Sequence, residues 1–152
     1  MIVRKAQPSE LKAVSDLAIA SFMSAVAGGY TSEGVETFRY FASVEGFRKR
    51  EGKEFQTFVA EKDGVLLGMA QLKMPSHLAM LFVRQSMQRQ GIGRRLLKEV
   101  ATHSKGDYLT VSSSPNAESA YRKFGFYPES GEKVERGIRF IPMRLKLTSL
   151  QS

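Results

Sequence analysis

Apolar residues in this chain recur in two rhythms that alternate along its length, one near the helical period of about 3.6 and one near the strand period of about 2. Ile2 to Ala6 reads as a short strand. Pro8 suits a first helical turn, and Leu11, Val14, Ala18 and Phe22 then keep helical spacing toward Val26, with Gly28-Gly29 ending the run. Ser32 to about Arg50 is expected to form a second helix with Val35, Phe38, Phe41 and Phe47 inward. Phe55 to Glu61 alternates, Lys62-Asp63-Gly64 is a hairpin turn, and Val65 to Lys73 returns antiparallel. His77 to Val83 is a strongly apolar strand. After the polar stretch Gln85 to Gln90, Gly91 opens a helix to about Ser104 with Leu96, Leu97, Val100 and Ala101 on its buried stripe. Asp107 to Ser112 is the next strand, Ser113 to Asn116 a loop, and Ala117 to Phe124 a short helix stopped by Gly125. Strands around Phe126 to Pro128 and Ile138 to Leu147 close the chain, the last irregular or at an edge near Pro142.

Strands and helices in this order make the class mixed α/β (α+β). We expect a single domain over residues 1–152, with a central mixed sheet of about six to seven strands and about four flanking helices. The helix after Gly91 is long enough to carry the chain back over the sheet. It therefore makes the strands at His77 and Asp107 parallel neighbours, a βαβ core.

Composition narrows the chemistry. There is no cysteine, so disulfides, thiolate metal sites and a cysteinyl intermediate are all excluded. Histidine occurs only at His77 and His103, so no metal site is expected. Lys plus Arg number 23 against 15 for Asp plus Glu, a net charge of +8 that favours anionic partners. The basic residues are dispersed apart from Arg48-Lys49-Arg50 and Arg94-Arg95, and no aromatic-basic interleaving occurs, which argues against nucleic acid. No apolar run approaches the roughly 20 residues of a membrane span, and the N-terminus carries no signal-peptide core, so the expected location is the cytoplasm.

The strongest local signal is Gln88-Arg89-Gln90-Gly91-Ile92-Gly93, which follows a buried strand and opens a helix. Glycine lets backbone N–H groups approach a ligand, and the first helical turn carries unpaired donors and partial positive charge, so phosphate is the fitting partner. Arg89, Arg94 and Arg95 add charge nearby. The Walker pattern is absent, and the third glycine of a dinucleotide fingerprint would fall on Leu96. Downstream lies Asn116-x4-Tyr121-x3-Gly125-Phe126.

The two motifs, in this order and context, resemble the signature of the GNAT superfamily of acetyl-CoA-dependent N-acetyltransferases. The resemblance is sharp from His77 to Phe126 and covers nearly the whole chain in element order. It implies that the turn Gln88, Arg89, Gln90, Gly91, Ile92 and Gly93, with Arg94, binds the pyrophosphate of acetyl-CoA, and that Leu81, Phe82 and Val83 pair with its pantetheine arm. It further implies that Asn116 contacts pantetheine and that Tyr121 is the general acid at the CoA sulfur. Arg89 stands where many members have Gly and Gln85 where many have Pro; neither position is expected to need positive φ.

The chemistry agrees with these roles. A phenol of pKa about 10 stays protonated at neutral pH and can give its proton to a leaving thiolate. A backbone N–H on the Leu81–Val83 strand can hold the oxyanion. An acceptor amine of pKa about 10.4 must first lose a proton. Water or His77, with an ordinary pKa of about 6.5, can take it, and Glu33 and Glu36 are further candidates. Gly28 to Thr31 is either a rim with an aromatic anchor or a plain loop, and Phe140 to Met143 is expected in the core rather than in the site. The expected partners are acetyl-CoA and an amine, with a homodimer common in the family. A non-catalytic acyl-CoA-binding module on the same fold is the alternative.

Overall fold

The computed structural model describes residues 1–25, 27–52 and 54–150. Strand β1 (Ile2–Lys5) leads through a short 3-10 turn to helix α1 (Leu11–Ala25). The expected extension toward Val26 falls outside the described residues. Helices α2 (Ser32–Phe41) and α3 (Val44–Arg50) follow, then strands β2 (Phe55–Lys62), β3 (Val65–Lys73) and β4 (His77–Val83). Helix α4 (Ile92–His103), strand β5 (Tyr108–Ser113) and helix α5 (Glu118–Phe124) precede β6 (Tyr127–Pro128), β7 (Lys133–Glu135) and β8 (Ile138–Lys146). The eight strands form one sheet in the order β1-β2-β3-β4-β5-β8-β6, with β7 on β8. Every neighbouring pair is antiparallel except β4 and β5, so the sheet is mixed and the βαβ core is present. Among the described residues no helix is long and apolar enough to cross a membrane.

The sheet carries a core on each face. On one, α4 buries Ile92, Leu96, Leu97 and Val100 against Phe58, Leu72, Leu109 and Leu145. On the other, α1, α2 and α3 bury Leu11, Val14, Phe22, Phe38 and Phe47 against Val59, Met69 and Met80. The alternation along β2, β3 and β4 therefore feeds two cores, which is why these strands read as nearly continuous apolar runs.

Two departures from the expected elements have local causes. The helix expected from Ser32 to Arg50 is two helices. Ser43 is extended at φ −70°, ψ 159° and its Oγ accepts the Gly46 N–H at 3.0 Å, an N-cap that starts α3. The Ala42 carbonyl, which would otherwise continue the helix, accepts instead from the buried Ser15 hydroxyl at 2.6 Å. Strand β7 was also not expected. It exists because Arg136 and Gly137 both take left-handed φ, 52° and 76°, and turn the chain into a two-residue hairpin with β8. Pro142 sits where the outer partner of β8 changes from β7 to β6; its carbonyl accepts from the Glu129 N–H at 2.8 Å. The missing donor thus falls at a local break in pairing, although β8 is paired on both sides.

The feature that matters for function lies at the middle of the sheet. The parallel β4 and β5 pair only at His77 with Thr110 and Leu78 with Val111, and then diverge. At the same place Ala79 is an extra residue against β3, since Leu72 faces Leu78 and Gln71 faces Met80. The bulge flips the alternation. Leu78 faces the α4 core, yet beyond the bulge it is Leu81 and Val83 that face it, while Met80 and Phe82 face α1 and α2.

Candidate active site

The gap between β4 and β5 opens into a cleft of about 1040 Å³. It runs through the sheet, so residues of both faces line it. From the α4 side come Leu81, Val83, Gly91, Ile92, Gly93, Arg94 and, on α5, Tyr121; from the α1 and α2 side come Phe22, Tyr30, Phe38 and Phe82.

At one end lies the turn into α4. Gly91 takes left-handed φ at 77° and stands at the N-cap without a side-chain cap. The first amide bonded within the helix is that of Arg95, to the Gly91 carbonyl at 3.1 Å. The N–H groups of Ile92, Gly93 and Arg94 therefore have no acceptor in the helix and border the cleft. A Cβ added at Gly91 would meet nothing within 4 Å, so the space before the helix is open. At Gly93 a Cβ would come within 3.1 Å of the Phe124 ring, so that glycine allows α4 and α5 to close around the end of the cleft. This mouth suits a diphosphate: free amides, a helix N-terminus, and Arg89 and Arg94 beside it. Gln88 folds back, its Nε2 donating to the Val83 carbonyl at 3.4 Å. Arg89 takes φ 66°, contrary to expectation: the position is left-handed, and an arginine occupies it.

Tyr121, on α5, also lines the cleft. Its ring packs edge-on against Phe126, with centroids 5.3 Å apart, and it keeps a part of its surface on the cleft. Burial pushes its hydroxyl well above the usual phenol range, and Tyr30, approaching from the other face of the sheet, pushes the same way. Tyr30 is itself raised by burial and lies edge-on to Phe22 at 4.9 Å. It was open in the sequence whether Gly28 to Thr31 is a rim or a loop; Tyr30 lines the cleft.

Other expected residues are placed elsewhere. His77 starts β4 where β4 and β5 are still paired, about 13 Å along the strand from Leu81 at ~3.3 Å per residue. Its Nδ1 lies 2.7 Å from the Thr110 hydroxyl, and burial first, then Lys73, lowers its pKa. It is not among the residues bordering the cleft, and neither are Asn116, Gln90, Glu33 and Glu36. Asn116 is exposed and its Nδ2 faces Gly29, while its neighbours Ser114 and Ala117 do border the cleft. Phe140, expected in the core, borders the cleft with Ile138, whereas Met143 is fully buried as expected. Among the described residues no group of three or more acidic or histidine side chains could hold a metal ion.

The frame around this site is found in known proteins. A GCN5-related N-acetyltransferase from Rhodopseudomonas palustris superposes with a TM-score of 0.81 at 23% identity, covering 95% of this chain and 94% of that one. The PaiA N-acetyltransferase of Thermoplasma acidophilum, solved in complex with coenzyme A, gives 0.76 at 21% identity over 95% and 98%. A ribosomal-protein-alanine N-acetyltransferase from Brucella melitensis gives 0.64 at 22% over 96% and 99%. No curated protein matches the sequence. The family model of the acetyltransferase (GNAT) domain matches residues 26–147, a span that takes in α2, the parted strands, the turn into α4 and Tyr121. With that match, and with the same frame in solved acetyltransferases, the chain belongs to the GNAT acetyltransferase family.

Proposed function

We propose that this protein is an N-acetyltransferase, one domain over residues 1–152, that moves the acetyl group of acetyl-CoA directly onto a primary amine while both are bound. The observation that carries this reading is a cleft between the parted strands that is lined both by the turn into α4, with its free amides, and by Tyr121. Coenzyme A in the Thermoplasma relative supports the choice of co-substrate. With no signal-peptide core or membrane-spanning run expected from the sequence, the proposed compartment is the cytoplasm.

In this reading the amides of Ile92, Gly93 and Arg94 hold the pyrophosphate, and Arg89 and Arg94 add charge. The edge of β4 from Leu81 to Val83, released from β5 beyond Leu78, offers backbone groups to the pantetheine arm. A backbone N–H on that edge holds the carbonyl oxygen as it turns into an oxyanion, the largest expected contribution to the rate. The amine, having given its proton to water in the open cleft, attacks the acetyl carbon. The new C–N bond forms and the nitrogen gives a second proton to water, the C–S bond breaks, and Tyr121 gives its proton to the departing sulfur and regains one from solvent. His77, about 13 Å along β4 from Leu81 at ~3.3 Å per residue and outside the lining of the cleft, is not the base in this reading.

The test is acetyl-CoA binding followed by thiol release. Saturating acetyl-CoA should raise the melting temperature, by about 2.7 kcal/mol of stabilisation at 100 times the Kd. An amine panel should then release free thiol in proportion to acetylated amine. Binding without thiol release on any amine would favour an acyl-CoA-binding module instead, and no binding would remove the proposal altogether.

A further inference from the structure

The half of the cleft on the α1 and α2 face is built for an apolar guest. Tyr30, Phe22, Phe38 and Phe82 form a continuous run of rings, with successive centroids 4.9, 3.9 and 5.7 Å apart. Ile138 and Phe140 line the same cleft. Met143 and Leu145 of β8 sit in the opposite core, so by strand alternation Ile138 and Phe140 point to the ring side. Glu135 is the register partner of Ile138 and therefore stands on the same face.

The charges on this cleft are equally selective. Among the described residues that border it, Glu135 is the one carboxylate, against Arg89, Arg94, Lys123 and Arg136. A polycation such as a polyamine or an aminoglycoside needs several anionic partners and would find one, with Arg136 next to it. A desolvated second ammonium among phenyl rings is costly unless paired. A phenyl or branched alkyl group, in contrast, gains from leaving water there.

Resting on the acetyltransferase reading above, we propose that the acceptor is a monoamine with an aromatic or branched apolar body, seated between the Tyr30–Phe22–Phe38–Phe82 rings and Phe140, with Glu135 facing its single ammonium. The hairpin that carries Glu135 is fixed in place for this. The Thr31 hydroxyl, which caps α2, donates to the Gly137 carbonyl at 3.0 Å, and a Cβ at Gly34 would overlap that same carbonyl.

The full chain with saturating acetyl-CoA is assayed for thiol release on 2-phenylethylamine, tryptamine and isoamylamine against spermidine, putrescine and kanamycin. The apolar monoamines should exceed the polycations at least about 10-fold in kcat/KM, the scale on which a pocket discriminates by apolar contact. Phe140→Ala should raise the KM for 2-phenylethylamine about 10-fold with Phe140→Leu recovering much of it, and Glu135→Gln should raise that KM with little change in the KM for acetyl-CoA. Preference for spermidine or kanamycin, or an unchanged amine KM in both Phe140→Ala and Glu135→Gln, overturns the inference while leaving acetyl transfer in place. A melting shift with acetyl-CoA but no thiol release on any of these amines also overturns it. No melting shift with acetyl-CoA removes the acetyltransferase reading, and this one with it.

Discussion

Tyr121 and Arg89 show how single residues carry the site. Burial raises the Tyr121 pKa above the ordinary phenol value of about 10. The proton therefore stays on the hydroxyl at every pH where the fold is comfortable. The pH–rate profile should rise as the amine loses its proton and should show no falling limb below about pH 10; a fall at pH 7 to 9 would assign the acid elsewhere. Tyr121→Phe keeps the ring packing on Phe126 and removes only the donor. It should retain acetyl-CoA binding and lose about 10²–10⁴-fold in kcat. Arg89, at φ 66°, holds a left-handed conformation that costs a non-glycine residue roughly 1 kcal/mol or more. Arg89→Gly should raise unfolding stability by up to about 1 kcal/mol in denaturant titration, partly offset by glycine's chain entropy, while weakening acetyl-CoA binding a few-fold. A loss of stability would mean that Arg89 makes compensating contacts. Tyr121, Gly91 and Gly93 were legible because each sits in a spaced motif. Arg89's backbone was not, since a left-handed φ on arginine leaves no periodic trace, and for Tyr30 the sequence left a rim and a plain loop both open.

At the scale of elements, β1 to β4, α4 and β5 were legible to within a residue or two because their apolar periods are long and their turns carry glycine. The division of α2 from α3 was not. Val35, Phe38 and Phe41 keep helical spacing, whereas Phe47, six residues after Phe41, falls on the opposite side of a continuous helix; that misfit and Ser43 are the two marks of the interruption. Its cause is tertiary, the Ser15 hydroxyl taking the Ala42 carbonyl. The cap should be measurable: Ser43→Ala is expected to cost about 1 kcal/mol of stability by urea unfolding. A neutral result would show that α3 is held by Phe47 in the core alone. Gly46 is stricter, since a Cβ there would lie 2.6 Å from the Tyr40 carbonyl and 2.7 Å from that of Phe41. Strand β7 escaped notice because Lys133-Val134-Glu135 is short and exposed, and its pairing depends on the Arg136-Gly137 turn rather than on any apolar pattern.

At the scale of the whole molecule, the fold class followed from element order, but the course of the cleft did not. That course depends on where β4 and β5 stop pairing and on the extra residue Ala79, and neither can be counted off a sequence. A sheet normally separates its two faces with a wall of backbone. Here the wall is breached, and the proposed function gives the two reactants separate doorways, the nucleotide beside α4 and the amine beside α2. Neither has to wait for the other to arrive or leave. Steady-state kinetics should accordingly fit random addition. A thiol-less coenzyme analogue should compete with acetyl-CoA yet act noncompetitively against the amine, and an inert apolar amine mimic should do the reverse. Uncompetitive inhibition by the amine mimic against acetyl-CoA would instead signal an obligatory queue at one entrance.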